Sequence, residues 1–206
     1  MPGSNERSGE PILFATSNGG KLDEARKILL PFGLSVEQYD GKGVEIQADT
    51  TGEVASHASR GAAITAGRPV LVEDAGLYVE SLRGFPGPYS AHAFKTIGVV
   101  GVIALLKSSP TRRADRAARF VSSVSYCEPR REPRLFEGSV RGAIAPSPRG
   151  KRGFGFDPIF VPEGLTRTFG EMTLEEKSAV SHRAVALRKF AKWYLSRERR
   201  SGREWF

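Results

Sequence analysis

Four stretches of this sequence combine residue types that can do chemistry. Thr16-Ser17-Asn18-Gly19-Gly20-Lys21 follows the apolar run Ile12–Ala15 and opens a segment with helical spacing. Glycines let backbone approach a ligand closely, N–H groups at a helix N-terminus attract phosphate, and Lys21 adds a point charge. The GxxxxGK[ST] spacing of a Walker A loop is absent. The stretch therefore reads either as a phosphate-binding turn of another kind or as an Asn-Gly-Gly turn with a surface lysine. Glu73-Asp74-Ala75-Gly76 ends the apolar run Val70–Val72. Adjacent carboxylates there are costly without partners. The carboxyl ends of strands in open α/β sheets are where ligands bind, and such groups suit magnesium, which takes a few carboxylates together with phosphate oxygens. The alternative is an acidic strand end entering a glycine turn. Side chains alternate along a strand, so the two carboxylates need not point the same way.

Gly153-Phe154-Gly155-Phe156-Asp157-Pro158 places two aromatic rings around one glycine on a loop. A ring face can stack on a nucleobase and a loop aspartate can accept from ring N–H groups; equally, the rings can pack into a core. Glu176-Lys177-Ser178 and Ser181-His182-Arg183 put cations near the start of the last helix, where they serve either an anionic ligand or the fold. Phosphate binders, metal carboxylates, a stacking face and polar base readers together make the equipment of a nucleotide hydrolase.

These stretches have to be held by an alternation of strands and helices. Ile12–Ala15 is expected as a buried strand. Leu22, Ala25, Ile28 and Leu29 recur at helical spacing until Pro31 and Gly33. Leu34–Tyr39 can form a second strand, Val54–Ala66 a helix ending at Gly67, and Val70–Glu73 a strand that runs into Asp74. Gly84–Tyr89 is expected as an irregular loop, because glycine and proline dominate it, and Ile97–Leu106 as a helix. Phe120–Cys127 and Leu135–Ile144 are expected as antiparallel strands joined through Pro129–Pro133, with Ile159–Val161 another short strand. Thr173 and Glu176 carry a capping-box signature, and a final helix spans His182–Ser196. Early alternation followed by strand-to-strand pairing indicates an α/β domain with a mixed sheet.

The chain has 206 residues, 39% of them apolar, enough for one domain with a real core. We expect a flexible N-terminus over residues 1–10, a single domain over 11–196 and a basic tail over 197–206. No apolar run reaches the length of about 18 residues needed for a membrane span, and Met1–Glu10 lacks an apolar signal core, so a cytoplasmic protein is expected. Cys127, the single cysteine, excludes an intramolecular disulfide and a cysteine-based zinc site. Asn5, Asn18, Gln38 and Gln47 are the only side-chain amides, a scarcity found in thermophile proteins. The net charge of +8 gathers at Arg112–Arg119, Arg130–Arg134 and Arg197–Arg203. It fits a polyanionic partner, nucleotides included, but no aromatic residues alternate with these arginines to form a stacking platform for nucleic acid.

The motifs taken in order resemble the inosine triphosphate pyrophosphatase family, also called XTP/dITP pyrophosphatases. The matching stretches are Phe14–Lys21, Glu45-Ile46-Gln47, Glu73–Leu77, Gly84–Ser90, Gly153–Phe160 and Glu176–Arg183. The resemblance implies a two-lobed α/β fold with the active site in the cleft between lobes, a homodimer, magnesium, and cleavage between the α and β phosphates. Carried onto this sequence, it implies that Thr16, Ser17, Asn18, Lys21 and Ala75 meet the substrate, with Asn18 and Lys21 holding the triphosphate. Glu45 and Asp74 would bind the metal or position the attacking water, supported by Glu73, and Lys21 would assist catalysis. Phe154 would stack on the base beside Gly155. Phe156, Asp157, His182 and Arg183 would line the base pocket, with Lys177 reaching toward the nucleotide. A 6-keto purine presents an acceptor where adenine presents an amine, so donors such as His182 or Arg183 would favour ITP and XTP. The sequence departs from the family at Ala58, where many members carry lysine and where Arg60 is the candidate replacement, and at His92, where many carry arginine. Two other classes stay open: a monophosphate phosphatase, disfavoured because Asp74-Ala75-Gly76 is not a DxD pair, and a basic nucleic-acid-binding protein without catalysis.

Overall fold

A computed structural model describes residues 10–41, 44, 46–108 and 116–201. Residues 1–9 of the expected flexible N-terminus, 112–115 of the Arg112–Arg119 cluster, 202–206 of the expected basic tail, and Glu45 therefore lie outside the described residues. Strands β1 (Ile12–Ala15), β2 (Val36–Tyr39), β3 (Val70–Val79), β4 (Pro86–Gly87), β5 (Ala117–Cys127), β6 (Arg134–Ile144) and β7 (Phe160–Pro162) form one mixed sheet in the order β2-β1-β3-β5-β6-β7, with β4 on β3. The helices are α1 (Gly19–Leu29), α2 (Thr51–Ala66), α3 (Ser90–Thr96), α4 (Gly98–Ser108), α5 (Leu174–Val180) and α6 (His182–Ser201).

The sheet has two halves. β2, β1 and the first part of β3 run parallel, with Ala15 opposite Val72. One face of this half is covered by α1 and α6 through Phe14, Leu22, Ile28, Leu187 and Phe190; the other is covered by α2 through Ala58, Ala62 and Ala63 against Leu13 and Val70. The second half is antiparallel, and its core gathers Leu77, Val102, Phe120, Ile144, Phe160 and Phe169. Among the described residues no single helix is long and apolar enough to cross a membrane.

β3 joins the halves, and here the sequence expectation is corrected. The strand does not end at Glu73 in a glycine turn; it continues to Val79, pairing with β5 from Val70↔Cys127 to Val79↔Ala118. Gly76 serves close approach instead: a Cβ there would lie 2.3 Å from the carbonyl oxygen of Gly87, so glycine is what admits β4 beside Leu77 and Tyr78. Asp74 is thus mid-strand, just beyond the C-terminal end of β1. Other boundaries also move. Thr50 caps α2 with Glu53 in a reciprocal capping box, and the helix starts at Thr51, three residues ahead of the expected Val54. The expected irregular loop Gly84–Tyr89 contains β4 and a cis Phe85–Pro86 peptide. α3 was not evident in the sequence, and α6 runs past Ser196 to Ser201. The capping box at Thr173 and the antiparallel pair β5–β6 are as expected.

Candidate active site

A cavity of about 500 Å³ opens where the halves meet. Its wall brings together Thr16, Ser17, Asn18 and Lys21 from the β1–α1 turn, Asp74 and Ala75 from β3, and Phe154, Gly155, Phe156 and Asp157 from the loop before β7. Lys177 of α5 and His182 and Arg183 of α6 complete it. The residues expected to meet substrate or metal line one space, apart from Glu45, which lies outside the described residues.

The β1–α1 turn is shaped by its own side chains. Thr16 Oγ1 accepts from the Asn18 N–H, and Asn18 Oδ1 accepts from the Lys21 N–H, which caps α1. The remaining N–H groups of the first turn, at the positive end of the helix dipole, favour an anion. Gly20 has a second function: a Cβ there would come within 2.6 Å of the Phe154 ring, so the glycine lets the aromatic loop lie against the β1–α1 turn.

Through the cavity wall, and back to Glu24 behind it, runs an unbroken alternation of charge. Lys177 Nζ is 2.5 Å from Asp157 and 2.7 Å from Glu24; Arg183 is 2.5 Å from Glu24 and 3.1 Å from Glu73; Lys21 Nζ is 3.0 Å from Glu73. Ser122 Oγ donates to Glu73, the Phe154 N–H donates to Asp157, and Lys21 Nζ also donates to the Glu73 carbonyl. Burial alone would raise the Glu73 carboxyl, but Arg183 and Lys21 outweigh it and hold the group well below the usual range. Glu24 is likewise depressed against its burial, by Arg183 and Lys177. For Asp157 burial wins over Lys177 and the carboxyl is raised. The chain of charges ties the aromatic loop, both ends of the α1–α6 layer and β3 into one unit, and removing any partner would leave a buried charge unpaired.

Glu73 and Asp74 point to opposite faces of the sheet. Glu73 meets Arg183 on the α1–α6 side. Asp74, half-buried, stands opposite Ser123, whose hydroxyl bonds Thr51 at the start of α2. The Asp74 side of the strand is therefore the side on which α2 begins.

At the other end of the cavity, His182 stacks on Phe120 at 4.5 Å with an interplanar angle of 10°, and Lys177 and Arg183 lie over the face of Phe154. His182 is 2% exposed, and its Nδ1 has no hydrogen-bond partner among the described residues. Burial first, then Arg183 and Lys177, push its imidazole well below 6.5, so the ring is neutral at pH 7. A histidine held neutral in the fold costs stability as pH falls below its unfolded value, because the unfolded chain binds the proton first. The depressed Glu73 and Glu24 act in the same direction from their ordinary 4.5 downward, while the raised Asp157 opposes them. Thermal denaturation should therefore show Tm falling from about pH 6.5 to 5 in the wild type, with a flatter profile over that window in His182→Gln. Equal slopes would contradict a neutral buried His182.

Comparison with known proteins gives the family of the chain. The family model of the Ham1 family matches residues 12–193. The chain belongs to the Ham1 family. It is 50% identical over 183 residues to the dITP/XTP pyrophosphatase of Methanopyrus kandleri, covering 89% of this chain and 95% of that one. It is 49% identical over 182 residues to the dITP/XTP pyrophosphatase of Thermococcus kodakarensis, covering 88% and 96%. A HAM1 protein structure from Coxiella burnetii superposes with a TM-score of 0.79 at 30% identity, covering 90% of this chain and 98% of that chain.

Within this Ham1-family chain, several site residues escaped the sequence reading. Glu24, 2% exposed, is the central carboxylate of the charge chain; its signal was an acid on the apolar side of α1, level with Ala25 and Ile28. Ser122 and Phe120 become cavity neighbours only through the β3–β5 register, which no local pattern reveals. Phe94 and Lys95 reach the cavity from α3. Arg60 does not line it: its guanidinium pairs with Glu132 at 2.5 Å, and Ala58 is buried in the α2 core. His92 is exposed and also outside the wall.

Proposed function

We propose that this chain hydrolyses non-standard purine nucleoside triphosphates (ITP, dITP and XTP) to the monophosphate and pyrophosphate. The observation that carries the reading is the joining, in one cavity, of a helix N-terminus with Lys21, a half-buried Asp74 and a buried polar pocket faced by Phe154 and His182. The names of the Methanopyrus and Thermococcus relatives support it. The first turn of α1, with Asn18 and Lys21, takes the phosphates. Asp74 orients the attacking water or removes its proton. Phe154 offers a stacking face that any base can use. His182, neutral, donates to a 6-keto oxygen; an amine at that position would meet a donor with a donor, at a cost of roughly 1–3 kcal/mol.

A divalent cation, which we take to be magnesium, would find a carboxylate ligand in Asp74 among the described residues. Glu73 and Asp157 are bound to buried cations, whereas Asp74 lies on the opposite face of β3, an oxygen ligand beside the phosphate end of the cavity. Asp74 with Glu45 would hold the ion, whose contribution is to neutralise charge on phosphate oxygens. We further propose a cytoplasmic homodimer; the exposed Ile97, Val100 and Leu105 on and before α4 supply apolar surface for an interface.

A substrate panel tests the reading. With magnesium present, kcat/KM should be about ten- to a hundredfold higher for ITP and XTP than for ATP, as one mismatched buried hydrogen bond requires. Equal efficiency on ITP and ATP would remove the base-reading role from this pocket.

A further inference from the structure

The cations of the charge chain are already balanced. Lys21 and Arg183 face Glu73, Arg183 and Lys177 share Glu24, and Lys177 also holds Asp157. A nucleoside triphosphate brings a tail with several negative charges into a wall whose buried charges cancel and which also carries Asp74. Lys95 differs from the other cavity lysines. It is an exposed residue of α3, it lines the cavity beside Phe94, and among the described residues no carboxylate lies within ion-pair distance of it. Its neighbour Phe94 is fixed edge-on against Phe156 at 5.6 Å, so α3 is anchored to the same aromatic loop that backs the cavity. A lysine ammonium is a compact charge on a flexible four-carbon stem. Such a group can reach a mobile polyanion without giving up an existing partner.

We propose that Lys95 is a substrate-binding residue that attracts the phosphate chain from the second half of the molecule, opposite the β1–α1 turn. The proposal rests on the triphosphate reading above. On this account the phosphates are gripped from both sides: by N–H groups, Asn18 and Lys21 on the first half, and by Lys95 on the second. The base pocket, already supplied with Lys177 and Arg183, does not depend on it. Substitution at this exposed position breaks no packed contact or ion pair of the fold.

The test is direct binding, independent of turnover. Calorimetric Kd values for inorganic tripolyphosphate and for inosine are measured in magnesium buffer at low salt on the wild type, Lys95→Gln and Lys95→Arg. Loss of one attractive charge in a partly screened cleft should weaken tripolyphosphate about tenfold in Lys95→Gln. Lys95→Arg should stay within about threefold of the wild type, and inosine should bind all three proteins alike. Unchanged tripolyphosphate affinity in Lys95→Gln overturns the proposal. So does an equal loss for tripolyphosphate and inosine, which would make the residue structural or base-directed, and so does a wild type that binds no tripolyphosphate. A wild type that binds tripolyphosphate yet leaves ITP intact would sink the hydrolase reading while the Lys95 comparison still stands or falls on its own.

Discussion

Asp74→Asn should keep its fold and lose at least about a hundredfold of kcat on ITP, the scale of a lost general base or metal carboxylate. The substitution is nearly isosteric, and Asp74 is only half-buried, so its thermal unfolding should stay within a few degrees of wild type. The ten-residue strand that carries it is held along its full length by β5, which leaves the backbone indifferent to the side-chain charge. Glu73, one residue earlier, provides the contrast. Its carboxylate is fully committed to Arg183, Lys21 and Ser122, so its loss would reach the fold before the chemistry. Turnover of ITP by Asp74→Asn within about threefold of wild type would show that Asp74 neither activates water nor holds the ion.

The second large effect is on stability. Arg183 is 1% exposed and divides its guanidinium between Glu24 and Glu73. Burial alone would lower its affinity for a proton, and the two carboxylates reverse that, holding the cation fully charged. Arg183→Ala leaves two buried carboxylates without it, and breaking a buried pair by removing one partner costs about 3–5 kcal/mol. Urea denaturation should show a loss of that size, with a large part recovered when Glu24→Gln is added to Arg183→Ala, since the second change removes one stranded charge. A single-variant loss under about 1 kcal/mol, or no recovery in the double variant, would mean that water or relaxation satisfies these groups. Under the proposed function, Arg183 at the base pocket would act on substrate chiefly by fixing Glu73 and Glu24, since its guanidinium is committed to both carboxylates.

The contents of the cavity were largely legible in the sequence, and its construction much less so. Thr16–Lys21, Phe154–Asp157 and Lys177–Arg183 each carry a local signal, because turn glycines, paired aromatics and helix caps are set by near neighbours. β3 shows where such signals stop. Gly76 looks like a turn residue from the sequence, yet it is a mid-strand contact point for Gly87. What extends the strand is the register with β5, more than forty residues away. The sequence suggests that Asp74 ends its own strand, whereas the structure has it mid-strand, and the end beside it belongs to β1. Glu24 is the other instance. Its neighbours on α1 mark it as unusual, but its meaning depends on Arg183 and Lys177, which only folding brings within reach. The distal cation Lys95 depends on α3, a seven-residue helix that starts just after the Gly-Pro loop and is too short to leave a periodic trace.

The central claim is that this cavity grips a triphosphate at the β1–α1 turn and directs water to the bond between its α and β phosphates. The most direct measurement is the identity of the products released from ITP by the wild-type protein with magnesium, followed by anion-exchange chromatography. The account predicts IMP and pyrophosphate in equal amounts, without free orthophosphate. Stoichiometric release of IDP and orthophosphate, or of inosine, would contradict it.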